Sequence, residues 1–131
     1  MSKGMNKNTS INTVKLIQEI GPKMNWGDKK NRQFVEAILT LKNTNETERF
    51  LRDLMTESEI KEFANRLEAA RLLSIDIQYN AIIESTGLSS ATIARIAKWL
   101  KGSLGGYRLI LSRLSNHHHN SSKLRKGLLL S

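Results

Sequence analysis

The densest run of recognition chemistry in the chain lies at residues 89–101, written SSATIARIAKWLK. It opens with two hydroxyls, Ser89 and Ser90, and continues with cations at Arg95, Lys98 and Lys101. Hydroxyls at a helix N-terminus donate to phosphate, where free backbone amides and the helix dipole assist. An arginine fork engages guanine O6 and N7 together, which makes Arg95 the candidate for a base edge. Lys98 and Lys101 are suited to phosphates, contacts that position a protein without reading sequence. The competing reading of these charges is an ordinary solvated helix face.

Charge along the chain favours the first reading. The formal net charge is +9. Acids and bases nearly balance up to Glu84, after which there is no Asp or Glu. The acid-free segment carries Arg95, Lys98, Lys101, Arg108, Arg113, Lys123, Arg125 and Lys126. One-sided charge of this kind is the footprint of a polyanion partner, nucleic acid ahead of membrane. A solubilising basic tail is the rival account.

These side chains need a helix beneath them and a second helix to hold it. Ile93, Ile96, Ala97 and Leu100 recur at i, i+3, i+4 and i+7, which gives residues 89–101 a buried face behind a Ser89 cap. The opposite face then shows Ser90, Ala91, Ala94, Arg95, Lys98 and Lys101. Upstream, YNAIIESTG predicts a short helix at about 78–86 with Gly87 at the sharp turn. Ile82, Leu88, Ile93 and Ile96 supply the apolar positions that lock one helix across the other, the helix-turn-helix arrangement over 78–101. Ile83 departs from the pattern, because a small residue often follows the first apolar position.

The rest of the chain reads as further helices, and nothing in it alternates like a strand. Residues 1–28 form a loose arm with a possible short helix, Ile11, Val14, Ile17 and Ile20 sharing a face between Ser10 and Gly21. Asp28 caps a helix at 29–42 with the stripe Phe34, Ile38 and Leu41. Asn45 with Glu48 fits the start of a short helix carrying Phe50, Leu51 and Leu54. Thr56 with Glu59 is a capping box that opens the longest helix, 57–74, with Ile60, Phe63, Leu67, Ala70 and Leu73. Gly102, Gly105 and Gly106 break the chain before a last helix, YRLILSRL, and residues 116–131 read as a basic tail. The expectation is an all-α fold, with one domain at 29–115.

Other chemistry has weaker support. The chain has no cysteine, so neither disulfides nor thiolate metal sites hold it. No apolar run approaches the roughly 20 residues that span a bilayer, and MSKGMNKNTS lacks the apolar core of a signal peptide, so the expected location is the cytoplasm. The short SSKLRKGLLLS segment is too weakly periodic for a membrane-surface anchor. His117, His118 and His119 in a row cannot build a tetrahedral metal site without other ligands. GSLGGY neither follows a strand nor contains the Gly-Lys-Ser/Thr of a phosphate loop, so it reads as a hinge. Glu57, Glu59 and Glu62 belong to the opening of a helix, where acids favour the dipole, and no catalytic residue, cofactor or metal is expected.

From about Phe34 to Leu114 the chain resembles the Trp-repressor superfamily, and in particular its YerC/YecD-type branch. The segments that carry the likeness are LMTESEIKEFANRLEAARLL, YNAIIESTGLSSATIARIAKWL and GGYRLIL, in that order. The resemblance implies a helical, intertwined homodimer that binds operator DNA. It also implies a corepressor pocket at Thr56, Arg66, Thr92 and Arg95, the positions that match the family's ligand-holding residues. Two positions depart from that pocket. Ile96 stands where the family's repressor has a glycine beside the indole ring, and Trp99 replaces a serine near the ligand amine. A branched side chain there crowds a ring, overpacking that costs about 1–3 kcal/mol. Tryptophan is therefore not the expected ligand, and Trp99 is a candidate to fill the region from within.

Together these readings give a sequence-specific, double-stranded-DNA-binding transcriptional regulator, a repressor that occupies a palindromic operator as a dimer. Ser89, Ser90, Ala91, Arg95, Lys98 and Lys101 form its expected DNA surface. The rival is a helix-turn-helix adaptor that binds protein or RNA without operator specificity. Tyr107 and Arg108 stay open between a dimer seam and, for Arg108, the DNA backbone.

Overall fold

The structure is a computed structural model that describes residues 23–129, and side chains as far as His118. The expected helix at Ser10–Ile20 lies outside the described residues, as do residues 1–22 of the arm. Six α-helices and no strand occur among the described residues: α1 Lys29–Thr40, α2 Thr44–Leu54, α3 Glu57–Ser74, α4 Tyr79–Thr86, α5 Ser90–Lys101 and α6 Gly106–Leu129. Contacts divide the chain into two units, residues 1–60 and 61–131.

In the first unit, local capping chemistry sets the helix starts. Asp28 accepts hydrogen bonds from the Lys30 and Asn31 amides at 3.1 and 3.3 Å. α1 stops at Thr40, two residues short of the expected end, where Leu41 turns extended. α2 begins earlier than expected, capped by Asn43 instead of Asn45. Asn43 Oδ1 accepts the Glu46 amide at 2.9 Å, and the Glu46 carboxylate reaches back to Asn43 Nδ2 at 3.0 Å. Glu46 also takes the Lys42 amide at 3.4 Å, so the earlier of two overlapping Asn-x-x-Glu signals gains a reciprocal bond. Neither helix has a fully buried side chain. Phe34 and Ile38 of the α1 stripe are 42% and 49% exposed.

The capping box that opens α3 forms as expected: the Glu59 amide donates to Thr56 Oγ1 at 3.2 Å and the Thr56 amide to Glu59 Oε2 at 2.9 Å. α3 ends in a Schellman turn that nothing in its sequence announces. The Ile77 amide bonds to the Leu72 carbonyl at 3.0 Å and the Asp76 amide to the Leu73 carbonyl at 3.1 Å. Asp76 holds the left-handed position, φ 62°, that glycine ordinarily fills there.

The second unit contains the core. Ala69, Ala70, Ile82, Ile93 and Ile96 have no exposed surface, and Leu72, Leu73, Ile77, Ile83, Leu88, Tyr107 and Leu111 pack around them. Ile83, the departure from the motif, is accommodated in this packing. α3 contributes the two small alanines to this cluster, and α4 and α5 contribute its isoleucines. α6, with 24 residues, is the longest helix, in place of α3 with 18. It runs beyond the Leu114 end expected for the last helix, because no Gly or Pro interrupts it between Gly106 and Gly127.

Candidate nucleic-acid interface

The motif rests on α4, its turn and α5. Thr86 ends α4 with its hydroxyl donating to the Ile82 carbonyl at 2.7 Å and accepting the Leu88 amide at 3.3 Å. That buried hydroxyl satisfies a backbone group on each side of the turn. Gly87 follows with φ 70° and ψ 5°, its amide bonded to the Ile83 carbonyl at 2.8 Å. No atom lies within 4 Å of where a Cβ would stand. Glycine is therefore required by the backbone angle, not by lack of room.

Ser89 then caps α5 as expected, accepting the Thr92 amide at 3.1 Å. The same hydroxyl donates to Thr92 Oγ1 at 2.9 Å. Ser89 thereby holds the helix start, and Ser90 beside it is the exposed hydroxyl free of such a role. Ile93 and Ile96 are fully buried, while Ala97 and Leu100 are partly so. The opposite face presents Ser90, Ala91, Ala94, Arg95, Lys98 and Lys101, all exposed. Among the described residues these three cations have no hydrogen-bond or ion-pair partner. Two ion pairs lie on α3, Arg66–Glu62 at 2.9 Å and Arg71–Glu68 at 2.7 Å. Arg71 holds the Glu68 carboxyl below its ordinary range by hydrogen bonding. Such exposed pairs neutralise charge locally on α3, while α5 itself carries Arg95, Lys98 and Lys101 and no acid.

The four residues of the implied corepressor pocket have separate local roles. Thr56 belongs to the first unit and is engaged in the α3 cap. Arg66 donates to Glu62, lies 5.5 Å from the Phe63 ring centroid, and has a buried Nε with no hydrogen-bond partner. Its positive charge acts on Tyr107, whose hydroxyl burial pushes above the usual phenol range while Arg66 pulls the other way. Thr92 accepts from Ser89, and Arg95 is exposed one turn further along α5. Ile96 is wholly within the core, whereas Trp99 is partly buried and does not pack against the buried cluster. Ile96, and not Trp99, thus occupies the interior on that side of α5.

Glu59 is committed to the capping box and Glu62 to Arg66, and Glu57 stands in the first turn of α3. No group of three His, Cys, Asp or Glu residues among those described is placed to hold a metal. No described helix is long and apolar enough to cross a membrane.

One residue beside the interface has a role that sequence spacing did not reveal. Arg108, near the start of α6, donates from Nη1 to the Leu100 carbonyl in the last turn of α5 at 2.5 Å. Tyr107, its neighbour, turns into the core.

Comparison with known proteins gives a consistent set of relatives. The family described as Trp repressor protein matches residues 29–115. YerC of Bacillus subtilis, an uncharacterised protein, is 39% identical over 90 residues, covering 69% of this chain and 86% of YerC. The crystal structure of a TrpR-like protein from Eubacterium eligens superposes with a TM-score of 0.65 at 34% identity, covering 69% of this chain and 93% of that one. A candidate Trp repressor from Staphylococcus aureus gives a TM-score of 0.64 at 31% identity, covering 71% and 96%.

Proposed function

Because the chain belongs to the Trp repressor family, we propose that it is a sequence-specific, double-stranded-DNA-binding transcriptional regulator that represses by occupying its operator. The observation that carries this reading is the outer face of α5, where Arg95, Lys98 and Lys101 stand exposed and unpaired while Ile93 and Ile96 anchor the inner face. An anchored helix with free cations and small Ala91 and Ala94 between them can lie in a major groove. Arg95 reads a base edge, Ser90 and the free amides at the start of α5 take phosphate, and Lys98 and Lys101 fix the register. Ser89 supports them as the cap.

The protein acts as a homodimer in this reading. Phe34, Ile38 and Leu39 on α1 and Leu109, Ile110 and Leu114 on α6 are between 42% and 77% exposed, apolar surface that a partner subunit would cover. Two recognition helices about 34–36 Å apart would then read a pseudo-palindrome with half-sites one turn apart. Tryptophan does not control it: the buried Ile96 takes the interior that a ring would need, and Thr56, Thr92 and Arg66 are engaged locally.

The test is fluorescence-anisotropy binding to random duplex DNA over a salt series, with selection and sequencing of the retained fraction. Steep salt dependence with an enriched palindrome is the expected result. Salt dependence without enrichment would replace the reading with a non-specific or RNA-binding adaptor. Binding to neither nucleic acid would leave a protein partner for this face.

A further inference from the structure

We infer that Arg108 is a positioning residue for the recognition helix, holding the last turn of α5 in shape from outside the helix-turn-helix motif; this rests on the DNA-binding reading of α5. The last carbonyls of any α-helix lack partners within it. In α5 the Trp99 carbonyl is taken by the Gly102 amide at 3.1 Å, and the Leu100 carbonyl by the Arg108 guanidinium. A cation at that end also favours the helix dipole. The turn so fixed carries Lys98 and Lys101, both exposed on the outer face.

The sequence around Arg108 is built for this contact. Gly105 has φ 69°, and a Cβ there would stand 3.0 Å from Arg108 Nη2 and 3.6 Å from Cζ. The glycine thus provides both the left-handed turn into α6 and the space in which the guanidinium lies. Gly106 is different, since nothing is within 4 Å of its Cβ position and its φ is ordinary. Tyr107 packs against the buried cluster and fixes the first turn of α6, so that Arg108, about 100° further round the helix, is directed away from the core side. The Arg108 contact adds one polar link between α5 and α6 to the packing of Tyr107 and Leu111, with two glycines of unequal importance before it.

The experiment compares Arg108→Ala, Gly105→Ala and Gly106→Ala with the wild-type full chain by amide hydrogen exchange without DNA, and by duplex binding across a salt series. Exchange at Leu100, Lys101 and Gly102 is expected to accelerate in Arg108→Ala and Gly105→Ala and to stay at wild type in Gly106→Ala. Duplex affinity of the first two is expected to fall by up to about tenfold, as for a site that must be reordered on binding, with the salt slope unchanged. A slope reduced by about one in Arg108→Ala would make the residue a phosphate contact and overturn the inference. Unchanged exchange in Arg108→Ala would overturn it as well, whatever the DNA result. A wild-type protein that binds no duplex would overturn the DNA reading and the functional half of this inference, while the exchange data would still decide the cap.

Discussion

The two turns that flank α4 make the same backbone demand and meet it with different residue types, so substitutions at both test the geometry. Gly87 and Asp76 share the left-handed conformation, at φ 70° and 62°. For Gly87→Ala there is no steric penalty, since no atom lies within 4 Å of the new Cβ. The cost is then the backbone term alone, about 1–2 kcal/mol for an L-residue, against about 0.4–1 returned by a stiffer unfolded chain. The net loss is about 1 kcal/mol. Asp76→Gly relieves a smaller strain, because aspartate tolerates the conformation better than alanine, and the unfolded-state entropy roughly offsets that relief; it also removes an acid from the negative end of α3, worth about 0.3–1 kcal/mol. Its net is a gain of about 0.5–1 kcal/mol. Asp76→Asn keeps a residue that tolerates the conformation and isolates the charge, so its smaller gain fades with salt. Urea unfolding at one fixed protein concentration reads all three. With a slope of about 2 kcal/mol/M, the midpoint falls by about 0.5 M for Gly87→Ala and rises by about 0.25–0.5 M for Asp76→Gly. A neutral Gly87→Ala together with a destabilised Asp76→Gly would refute the turn geometry.

Further outcomes follow from the site. Arg95→Ala is expected to cost about 1–3 kcal/mol in operator binding and to relax preference at one base pair, whereas Lys98→Ala weakens all sequences alike; competition titrations against single-base operator variants separate the two. L-tryptophan is expected to leave operator affinity unchanged in anisotropy titrations, and a shift of half a decade or more would restore the corepressor pocket. Ile96→Ala, at a position with no exposed surface, is expected to lose about 2–5 kcal/mol in denaturant unfolding. Tyr107, its folded pKa raised by burial, contributes stability that is fully present below the ordinary phenol range and is lost as pH rises through the folded value. Alkaline unfolding of Tyr107→Phe should therefore lack that component.

How much of this was legible in the sequence depends on the range over which each signal acts. The helical periodicity of Ile93, Ile96 and Leu100, the Ser89 cap and the Thr56–Glu59 box are local, and all three appear where spacing put them. The exposed face of α5 follows from the same periodicity. The start of α2 differs from the expected one because Asn43–Glu46 and Asn45–Glu48 carry the same pattern two residues apart, and only their bonds in the folded chain, Glu46 to Asn43 and to Lys42, distinguish them. The end of α6 was misplaced because Asn, Ser and His oppose a helix only weakly, by a few tenths of a kcal/mol each. Asp76 gave no signal, since an aspartate in a Schellman turn has the composition of any loop. Arg108 was visible as a cation, but its carbonyl partner lies eight residues away across a glycine break, a separation without periodic meaning.

The few buried side chains of the second unit constrain how this protein can be regulated under the proposed reading. Two of the three isoleucines that are fully buried, Ile93 and Ile96, belong to the recognition helix itself. A ligand admitted beside α5 on the Ile96 side would displace core that the helix needs in order to present Arg95 and Lys98. Occupancy and stability would then oppose each other, and binding energy would be spent on repairing the core before any could reorient the helix. The far end of α5 is different. There the helix is held through a carbonyl, one guanidinium and a left-handed glycine, contacts that can shift without opening the core. Control over the angle of the recognition helix is therefore more readily exerted through α6 than through a pocket beneath α5, and substitutions at Gly105 and Arg108 should alter operator affinity while leaving the unfolding slope of the protein unchanged.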